Sequence, residues 1–418
     1  MFVRLLRVAP RRLAAMAVGA AGAAGATTCH GAPVSHERLE RLEQQVATLT
    51  EMLKAQRTEA PAAARTGQGD MVFSWHVELT NAFPEAARPH EKDMHGGFSE
   101  DPETGIVYTG IAGYGLCAIS ADLKTWRRLS GDDERLKSNI HGVCVFKHGH
   151  ETRLALAQNE AQRILIVDLD GSVQQELNQP KGGEFIDCPA ANGYYSNRPL
   201  ARVKRSGAMP SPLPGTWSME RQVPAFACTD VAYLDGRLYV STGYCEGDFV
   251  LTASHVGGEW QWGPIAWGGK GDSPGQFQTA HGLFAHSGHI YVANREAHQL
   301  VQFTPTGRFV RCVPDIPSGA RICNVARSDR YFVMNALEPL RHTPARTAPI
   351  YAHNGEQLVS TIEPGDLGIP VLKHLHHVWP HYVTHADGTR RLYLLVHGWS
   401  AGKFAVLQHE QTDAGDGE

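Results

Sequence analysis

The chain has 418 residues, and its 39 Lys and Arg against 43 Asp and Glu give a formal net charge of −4. The chain therefore has neither the basic excess that is typical of nucleic-acid-binding proteins nor the acidic excess that an acidic disordered tail would add. With 43 Gly, 24 Pro and only 20% charged residues, the composition favours many short strands joined by turns, and the 22 His need an explanation.

The N-terminus has the pattern of an export signal. Four arginines occur within the first 12 residues, an apolar run follows over 13–26, and the run ends in the cleavage motif Ala24-Gly25-Ala26. Residues 1–26 are therefore predicted to be a signal peptide. An uncleaved membrane anchor is the alternative, although the run is shorter than the roughly 20 residues of a typical span. In either case we expect the rest of the chain in the periplasm or facing the extracellular side.

Residues 34–58 are predicted to form a short coiled-coil helix, because apolar side chains recur at alternating intervals of three and four residues. The seam consists of Leu39, Leu42, Val46, Leu49 and Leu53. It would pair chains into a homo-oligomer or, alternatively, serve as a solvated helical spacer. The Ala- and Pro-rich residues 59–69 are predicted to be a linker, and 411–418 a disordered tail.

One unit of short strands and Gly turns recurs from residue 70 to 410. Its clearest copy starts at His281, reaches a turn at Gly288, continues through 289–303 and follows the Gly-rich segment 268–277, a combination that resembles the NHL repeat. The six copies start near His95, His141, Thr229, His281, Asn324 and His381. The sequence therefore predicts an all-β, six-bladed NHL-type β-propeller. The strand 71–77 would close the ring as the outer strand of the last blade.

The first residue of each copy is expected to face the central channel. Alternate blades then supply His141, His281 and His381, about 120° apart around the axis, which suits three ligands of one metal ion with an open fourth position. Zinc fits such a centre best, and His95 would be an additional channel imidazole. The alternative is that the channel histidines bond only to water and to one another.

The third ligand is chosen by spacing. His381 precedes Gly388 by seven residues, as His281 precedes Gly288. His377 is the fallback. The neighbouring His374 and His376 lie in the same crowded segment.

Three segments resemble the lyase domain of peptidylglycine α-amidating enzymes: Cys228-Thr-Asp-Val-Ala232, the stretch 238–245 that ends in Gly-Tyr-Cys, and the stretch 274–296 with its Pro-Gly-Gln-Phe and Ala-Asn-Arg-Glu motifs. The closest match covers 226–310. That family is a six-bladed propeller that holds zinc with three channel histidines. By matching motif, Tyr244 takes the place of the catalytic tyrosine and Arg295 that of an active-site arginine. The resemblance also assigns zinc to the three histidines chosen above, and it implies a disulfide between Cys228 and Cys245.

The chain also departs from the family. The segment 108–112 lacks the family's first-blade arginine, and Tyr382 replaces an acidic residue that helps to bind calcium, which argues against a calcium site. His95 occupies a position that the family does not use as a ligand. Residues 180–222 form an insertion between the second and third blades, and such an insertion could lie over one mouth of the channel.

The resemblance implies a zinc-dependent lyase that cleaves the C–N bond of an α-hydroxyglycine-like carbinolamide to an amide and glyoxylate. Tyr244 would be the general base, and Arg295 would bind a carboxylate of the small-molecule or peptide substrate. Two alternatives stay open at this point. One is another metalloenzyme on the same histidines, such as a hydrolase or a copper-dependent oxidase, and the other is a non-catalytic propeller that binds a partner.

Overall fold

The computed structural model describes residues 64–129, 133–197, 224–340, 347–369, 372–399 and 403–410. The predicted signal or anchor segment 1–26, the predicted coiled coil 34–58 and the predicted tail 411–418 lie outside the described residues. None of the helices within the described ranges is long and apolar enough to cross a membrane.

The strands form six antiparallel sheets of four or five strands, so the predicted six-bladed propeller is confirmed. The chain enters through β1 (Arg65–Gln68), β2 (Met71–Trp75), the helix α1 (Val77–Asn81) and a 3-10 helix (Glu85–Asp93). Blade 1 contains β3 (Phe98–Glu100), β4 (Val107–Ile111), β5 (Gly115–Ile119) and β6 (Trp126–Arg128), and a 3-10 helix (Glu134–Lys137) follows it. Blade 2 contains β7 (Gly142–His148), β8 (Glu151–Gln158), β9 (Arg163–Asp168) and β10 (Val173–Asn178), followed by the helix α2 (Pro189–Ser196).

The other four blades repeat the same up-and-down order. Blade 3 contains β11 (Asp230–Leu234), β12 (Arg237–Ser241), β13 (Phe249–Val256) and β14 (Glu259–Gly268). Blade 4 contains β15 (Ala280–His286), β16 (His289–Asn294), a 3-10 turn (Arg295–Ala297), β17 (Gln299–Phe303) and β18 (Phe309–Cys312). Blade 5 contains β19 (Ile322–Arg327), β20 (Phe332–Ala336), β21 (Ile350–His353) and β22 (Leu358–Ile362), then a 3-10 helix (Pro364–Leu367). Blade 6 contains β23 (Leu375–Thr384), β24 (Arg390–Gly398) and β25 (Phe404–His409).

The ring closes as predicted, because β2 pairs with β25 and adds the N-terminal strand to the last blade. This strand ends at Trp75, two residues before the predicted end, since His76 caps α1 by accepting a hydrogen bond from the Leu79 amide at 3.2 Å. The predicted linker 59–69 needs a correction as well. Arg65–Gln68 is a strand that pairs with β2 through a tight turn, in which Gly69 adopts a positive φ of 58°.

The hydrophobic core lies between adjacent blades rather than at the axis. One cluster, for example, joins Val250 and Trp267 of blade 3 to Leu283 and Phe303 of blade 4. Both faces of each sheet are thus buried, and most of the apolar area leaves water at the interfaces between blades. The starts of the inner strands remain available for polar side chains.

The described part of the insertion between blades 2 and 3 packs on blade 3. Ala191 and Tyr195 of α2 share a core cluster with Phe226 and Phe249. Phe249 directly follows the turn 242–248, so α2 supports the segment that carries Tyr244. Residues 198–223, the larger part of the insertion, lie outside the described ranges.

Candidate metal centre

Five buried side chains meet at the axis: His95, His141, His281, Cys323 and His376, which we call the histidine hub. The ring centroids of His95 and His376 are 3.9 Å apart, and those of His95 and His141 are 4.4 Å apart. His141 lies 4.6 Å from His376 and 4.9 Å from His281, and His281 lies 5.0 Å from His376. The predicted convergence of channel histidines is therefore present, with a different member from the last blade.

β-Bulges explain why three of these side chains face the axis. Pairing of the inner strand with the second strand is irregular between Ala280 and Leu283 in blade 4, between Ile322 and Asn324 in blade 5, and between Leu375 and His377 in blade 6. A bulge inserts an unpaired residue and redirects its side chain. The hub residues His281, Cys323 and His376 lie within these three irregularities.

Two overlapping groups in the hub have the spacing of metal ligands. His95, His141 and His376 form one group, and His281, Cys323 and His376 form the other, with all ligand atoms of a group within 4.8 Å of one another. His376 belongs to both. The hub is thus able to hold a metal ion, and the donor set of imidazoles and a thiol is that of transition metals.

Backbone carbonyls fix the tautomers of two hub histidines. Nδ1 of His281 donates to the carbonyl of Cys323 at 2.7 Å, and Nδ1 of His141 donates to the carbonyl of Thr229. A carbonyl can only accept, so in the neutral ring the lone pair lies on Nε2 of each histidine. A hydrogen bond from the second nitrogen to a backbone carbonyl is the usual support of a histidine that ligates a metal.

Burial keeps these imidazoles neutral, which is the form that binds metals. It lowers the pKa of His141 to about 3, and it places the pKa values of His281, His376 and His95 well below the ordinary 6.5. Nε2 of His141 and both nitrogens of His376 are buried without a hydrogen-bond partner in the described part of the chain. Because an unpaired buried polar atom is costly, these lone pairs fit a role as ligands.

His381, the predicted third ligand, does not join the hub. Its Nδ1 lies 2.9 Å from Oε2 of Glu100, and its Nε2 lies 2.8 Å from the carbonyl oxygen of Ala121. The prediction is wrong because β23 is 10 residues long, whereas β15 has 7. Seven residues before Gly388 therefore lies inside β23 rather than at its start.

The fallback His377 does not join the hub either. Its side chain contacts the backbone amide of Phe98 at 3.4 Å and the side chain of Asn324 at 2.8 Å. His376 is therefore the residue from the last blade that enters the hub.

Tyr244 and Arg295 both lie beside the hub, as the sequence predicted. The Tyr244 hydroxyl is 2.9 Å from Nε2 of His281 and accepts a hydrogen bond from Nη1 of Arg295 at 3.0 Å. The guanidinium group also donates from Nε to Glu296 at 2.9 Å, and Arg295 as a whole is only 7% exposed. Arg295 therefore forms an ion pair with Glu296 while its side chain is buried.

A close backbone contact sets the position of Tyr244. At Gly243, a Cβ atom would lie 2.4 Å from the carbonyl oxygen of Ala280, so only glycine lets the turn approach the start of β15. Asp248 ties the other end of the turn by accepting the Ala280 amide at 2.7 Å. Burial raises the pKa of Tyr244, and the charge of Arg295 opposes this shift.

The predicted disulfide is absent from the structure. All described cysteines are free, and the two thiols point to different acceptors: Cys228 donates to the carbonyl of Arg163 at 3.3 Å and Cys245 to that of Thr242 at 3.1 Å. The turn that carries Tyr244 is therefore held by the contacts of Gly243 and Asp248 rather than by a bridge.

Sequence reasoning missed three residues at the centre: His376, Cys323 and Trp399. The Trp399 ring stacks on His95 with centroids 4.9 Å and planes 19° apart. The sequence contains a signal for His376 and Cys323, because every hub residue directly follows an apolar residue that is buried in the structure. These are Met94, Ile140, Ala280, Ile322 and Leu375. His381 instead follows Pro380.

A cavity of about 400 Å³ opens next to this region. It is lined by Asn294 and Glu296, the two neighbours of Arg295, but by none of the hub histidines.

No family model matches the chain, and no curated protein is significantly similar to it. Among solved structures, the chain is similar to the crystal structure of BamB from Moraxella catarrhalis, with 11% sequence identity and a TM-score of 0.33 over 78% of this chain and 85% of that chain. At this level the similarity carries no information on function.

Proposed function

We propose that the protein is a zinc-dependent lyase that cleaves the C–N bond of an α-hydroxyglycine-like carbinolamide, giving an amide and glyoxylate. The observation that carries the proposal is the contact of the Tyr244 hydroxyl with both Nε2 of His281 and the guanidinium group of Arg295. A phenol held between a prospective metal ligand and a buried cation is suited to proton transfer.

The zinc ligands of this proposal are His141, His281 and His376, whose ring centroids lie 4.6 to 5.0 Å apart. The two groups with the spacing of metal ligands each contain His376, one with His141 and the other with His281. Two of these imidazoles have Nε2 lone pairs fixed by carbonyl partners, and the third has no partner on either nitrogen among the described residues. Three neutral protein ligands with an open fourth position are typical of catalytic zinc. When bound, zinc supplies Lewis acidity that lowers the pKa of a coordinated hydroxyl group.

The lone pair on Nε2 of His281 has two mutually exclusive uses. In the structure it faces the Tyr244 hydroxyl, whose proton it accepts. If that lone pair is used for a metal, Tyr244 loses this acceptor and keeps Arg295 as its donor. Arg295 then favours the phenolate form that a base requires, against the rise in the pKa of Tyr244 that burial causes.

In the proposed reaction the Tyr244 oxygen takes the proton of the substrate hydroxyl. The C–N bond breaks, its electron pair moves to the amide nitrogen, and a carbonyl forms at the former carbinol carbon. The same proton is then delivered to the nitrogen, so the reaction has no net proton change and needs no oxidant. Arg295 would bind the carboxylate that becomes part of glyoxylate, since a guanidinium fork matches a carboxylate at two points.

A copper-dependent oxidase is the second candidate, and Cys323 favours it. The thiol of Cys323 forms a ligand group with His281 and His376, and a soft sulfur ligand beside two imidazoles suits copper. Burial raises the pKa of Cys323 to about 11, so the thiol is protonated until a metal displaces the proton.

Metal analysis combined with one assay separates these candidates. The purified protein is stripped with a chelator, reloaded with zinc or copper, and tested for glyoxylate release from α-hydroxyhippurate. The lyase proposal expects one zinc per chain and zinc-dependent release, with His141→Gln as a variant that loses both. Bound zinc without glyoxylate release would refute the lyase on this substrate class. Selective binding of copper would favour the oxidase, and the absence of any bound metal would refute both.

A further inference from the structure

The histidines of the hub differ in which ring nitrogen carries the proton. For His141 and His281 the backbone carbonyls of Thr229 and Cys323 place it on Nδ1. His95 faces an amide instead of a carbonyl: its Nδ1 lies 2.9 Å from Nδ2 of Asn139. The direction of this single hydrogen bond decides whether Nε2 of His95 offers a lone pair or a proton.

A chain of hydrogen bonds that starts at the backbone fixes this direction. The amide N–H of Glu160 is always a donor, and it donates to Oδ1 of Asn159 at 2.8 Å. The same oxygen accepts from Nδ2 of Asn139 at 3.2 Å, so the amino group of Asn139 lies on the side of Asn159 and His95. Reversing Asn139 would set its oxygen against that of Asn159, where neither has a proton to share.

The His95 Nδ1 atom must therefore be the acceptor of this bond, and the proton of the neutral ring is on Nε2. This tautomer is the opposite of the one in His141 and His281. Trp399 stacks on the ring at 4.9 Å, and Asn139 holds its Nδ1, so the ring has a defined plane and a defined free N–H. The His95 ring lies against the rings of His141 and His376, with centroids 4.4 and 3.9 Å apart, so this donor belongs to a ring at the candidate centre.

We propose that His95 is a hydrogen-bond donor to the molecule bound at the centre rather than a metal ligand. Its Nε2–H selects compounds that present an acceptor oxygen beside the metal, such as a carboxylate, a carbonyl or a hydroxyl group. The choice of substrate in this inference rests on the proposed function, but the protonation pattern of the hub does not.

The protonation pattern can be measured without metal or turnover. Long-range ¹H–¹⁵N spectra of metal-free protein labelled with ¹⁵N-histidine distinguish the two tautomers of each ring. Signals are assigned by comparison with His95→Gln, His141→Gln and His281→Gln. We expect the proton on Nε2 in His95 and on Nδ1 in His141 and His281. A proton on Nδ1 of His95 would overturn the proposal, whatever the activity of the protein.

A second test reverses the hydrogen bond. In Asn139→Asp a carboxylate, which only accepts, faces His95, so the ring must donate from Nδ1 and its Nε2 lone pair becomes a ligand. Cobalt-loaded Asn139→Asp should show the several-fold weaker visible absorption of a higher coordination number. The control Asn159→Asp adds the same charge but keeps an oxygen that accepts from Glu160 and Asn139, so its cobalt spectrum should match that of the wild type. Equal spectra for Asn139→Asp and the wild type would contradict the proposal.

A third measurement does not depend on the folding of Asn139→Asp. His95→Gln keeps a donor but removes the imidazole, so it should bind one metal ion per chain with unchanged affinity. Loss of the metal in His95→Gln would show that His95 is a ligand. If the wild type binds neither zinc nor cobalt, the proposed function fails, while the spectra of the metal-free protein still decide the state of His95.

Discussion

Tyr244→Phe is the most direct test of the proposed chemistry. The substitution removes one oxygen, which is bonded to Nε2 of His281 and to Nη1 of Arg295, and it leaves the packing of the ring unchanged. Loss of a general base typically costs about 10²- to 10⁴-fold in rate, which corresponds to about 3–5 kcal/mol in the activation barrier. We expect a loss of turnover in this range.

The same structure predicts a separate effect of Tyr244→Phe on metal binding. In the metal-free protein the Tyr244 hydroxyl occupies the lone pair that a metal would need. Since such a hydrogen bond contributes about 1 kcal/mol net, removing it should leave the affinity for zinc unchanged or raise it by up to about fivefold. Arg295 keeps its ion pair with Glu296, so the fold should not be disturbed.

Two measurements on each protein check this prediction: metal affinity by competition with a chelator, and glyoxylate release from α-hydroxyhippurate. Tyr233→Phe is a matched control, because its hydroxyl also contacts a histidine, His148 at 3.3 Å, but outside the hub. Unchanged turnover in Tyr244→Phe would refute its role as the base. A weakened metal affinity would instead show that the hydroxyl supports the centre rather than competing with it.

Three further predictions use the same protein. His376→Gln should lose the bound metal while His381→Gln retains it, as measured by metal content after gel filtration, and the reverse result would restore the spacing argument. Arg295→Lys should raise KM for a carboxylate substrate more than it lowers kcat, since lysine keeps the charge but cannot grip two oxygens; a pure kcat effect would contradict this role. Metal-free protein should lose stability as pH falls below 6.5, because the unfolded state binds protons that the buried His141, with its pKa lowered to about 3, does not. His141 contributes about 1 kcal/mol per pH unit to this loss in the free energy of unfolding. Urea unfolding at pH 7 and pH 5 should therefore show a smaller difference in His141→Gln than in the wild type.

The fold could be predicted from the sequence because each blade repeats one local pattern of strands and Gly turns. The apolar runs and turns between them identify the unit. The strand starting at Met71 precedes the first full blade, so its pairing with the last blade, which closes the ring, was predictable too. The prediction was wrong for a short segment of the predicted linker. The strand Arg65–Gln68 lies in a stretch whose Ala and Pro content is typical of linkers, and only its pairing with β2 makes it a strand.

The candidate site could be predicted where the inner strand is short. The inner strands of blades 2 and 4 have seven residues each, and His141 and His281 near their starts face the axis. In blade 6 the inner strand has 10 residues, and the bulge after Leu375 brings His376 to the axis instead of His381. Cys323 enters by the bulge in blade 5. Bulges depend on the packing of neighbouring blades, and spacing along a sequence does not show them.

Arg295 links the acid–base behaviour of the hub to its capacity for metal. Burial is the main cause of the low pKa values of His141 and His281, and the positive charge of Arg295 lowers both further. The same charge opposes the rise in the pKa of Tyr244 that burial causes. One buried cation therefore disfavours protonation of the imidazoles and favours ionisation of the phenol, so it moves both groups toward the states that a metal-dependent base reaction requires. The ion pair with Glu296 does not compete with the hydrogen bond to Tyr244. Glu296 accepts from Nε of Arg295, whereas the Tyr244 hydroxyl accepts from Nη1.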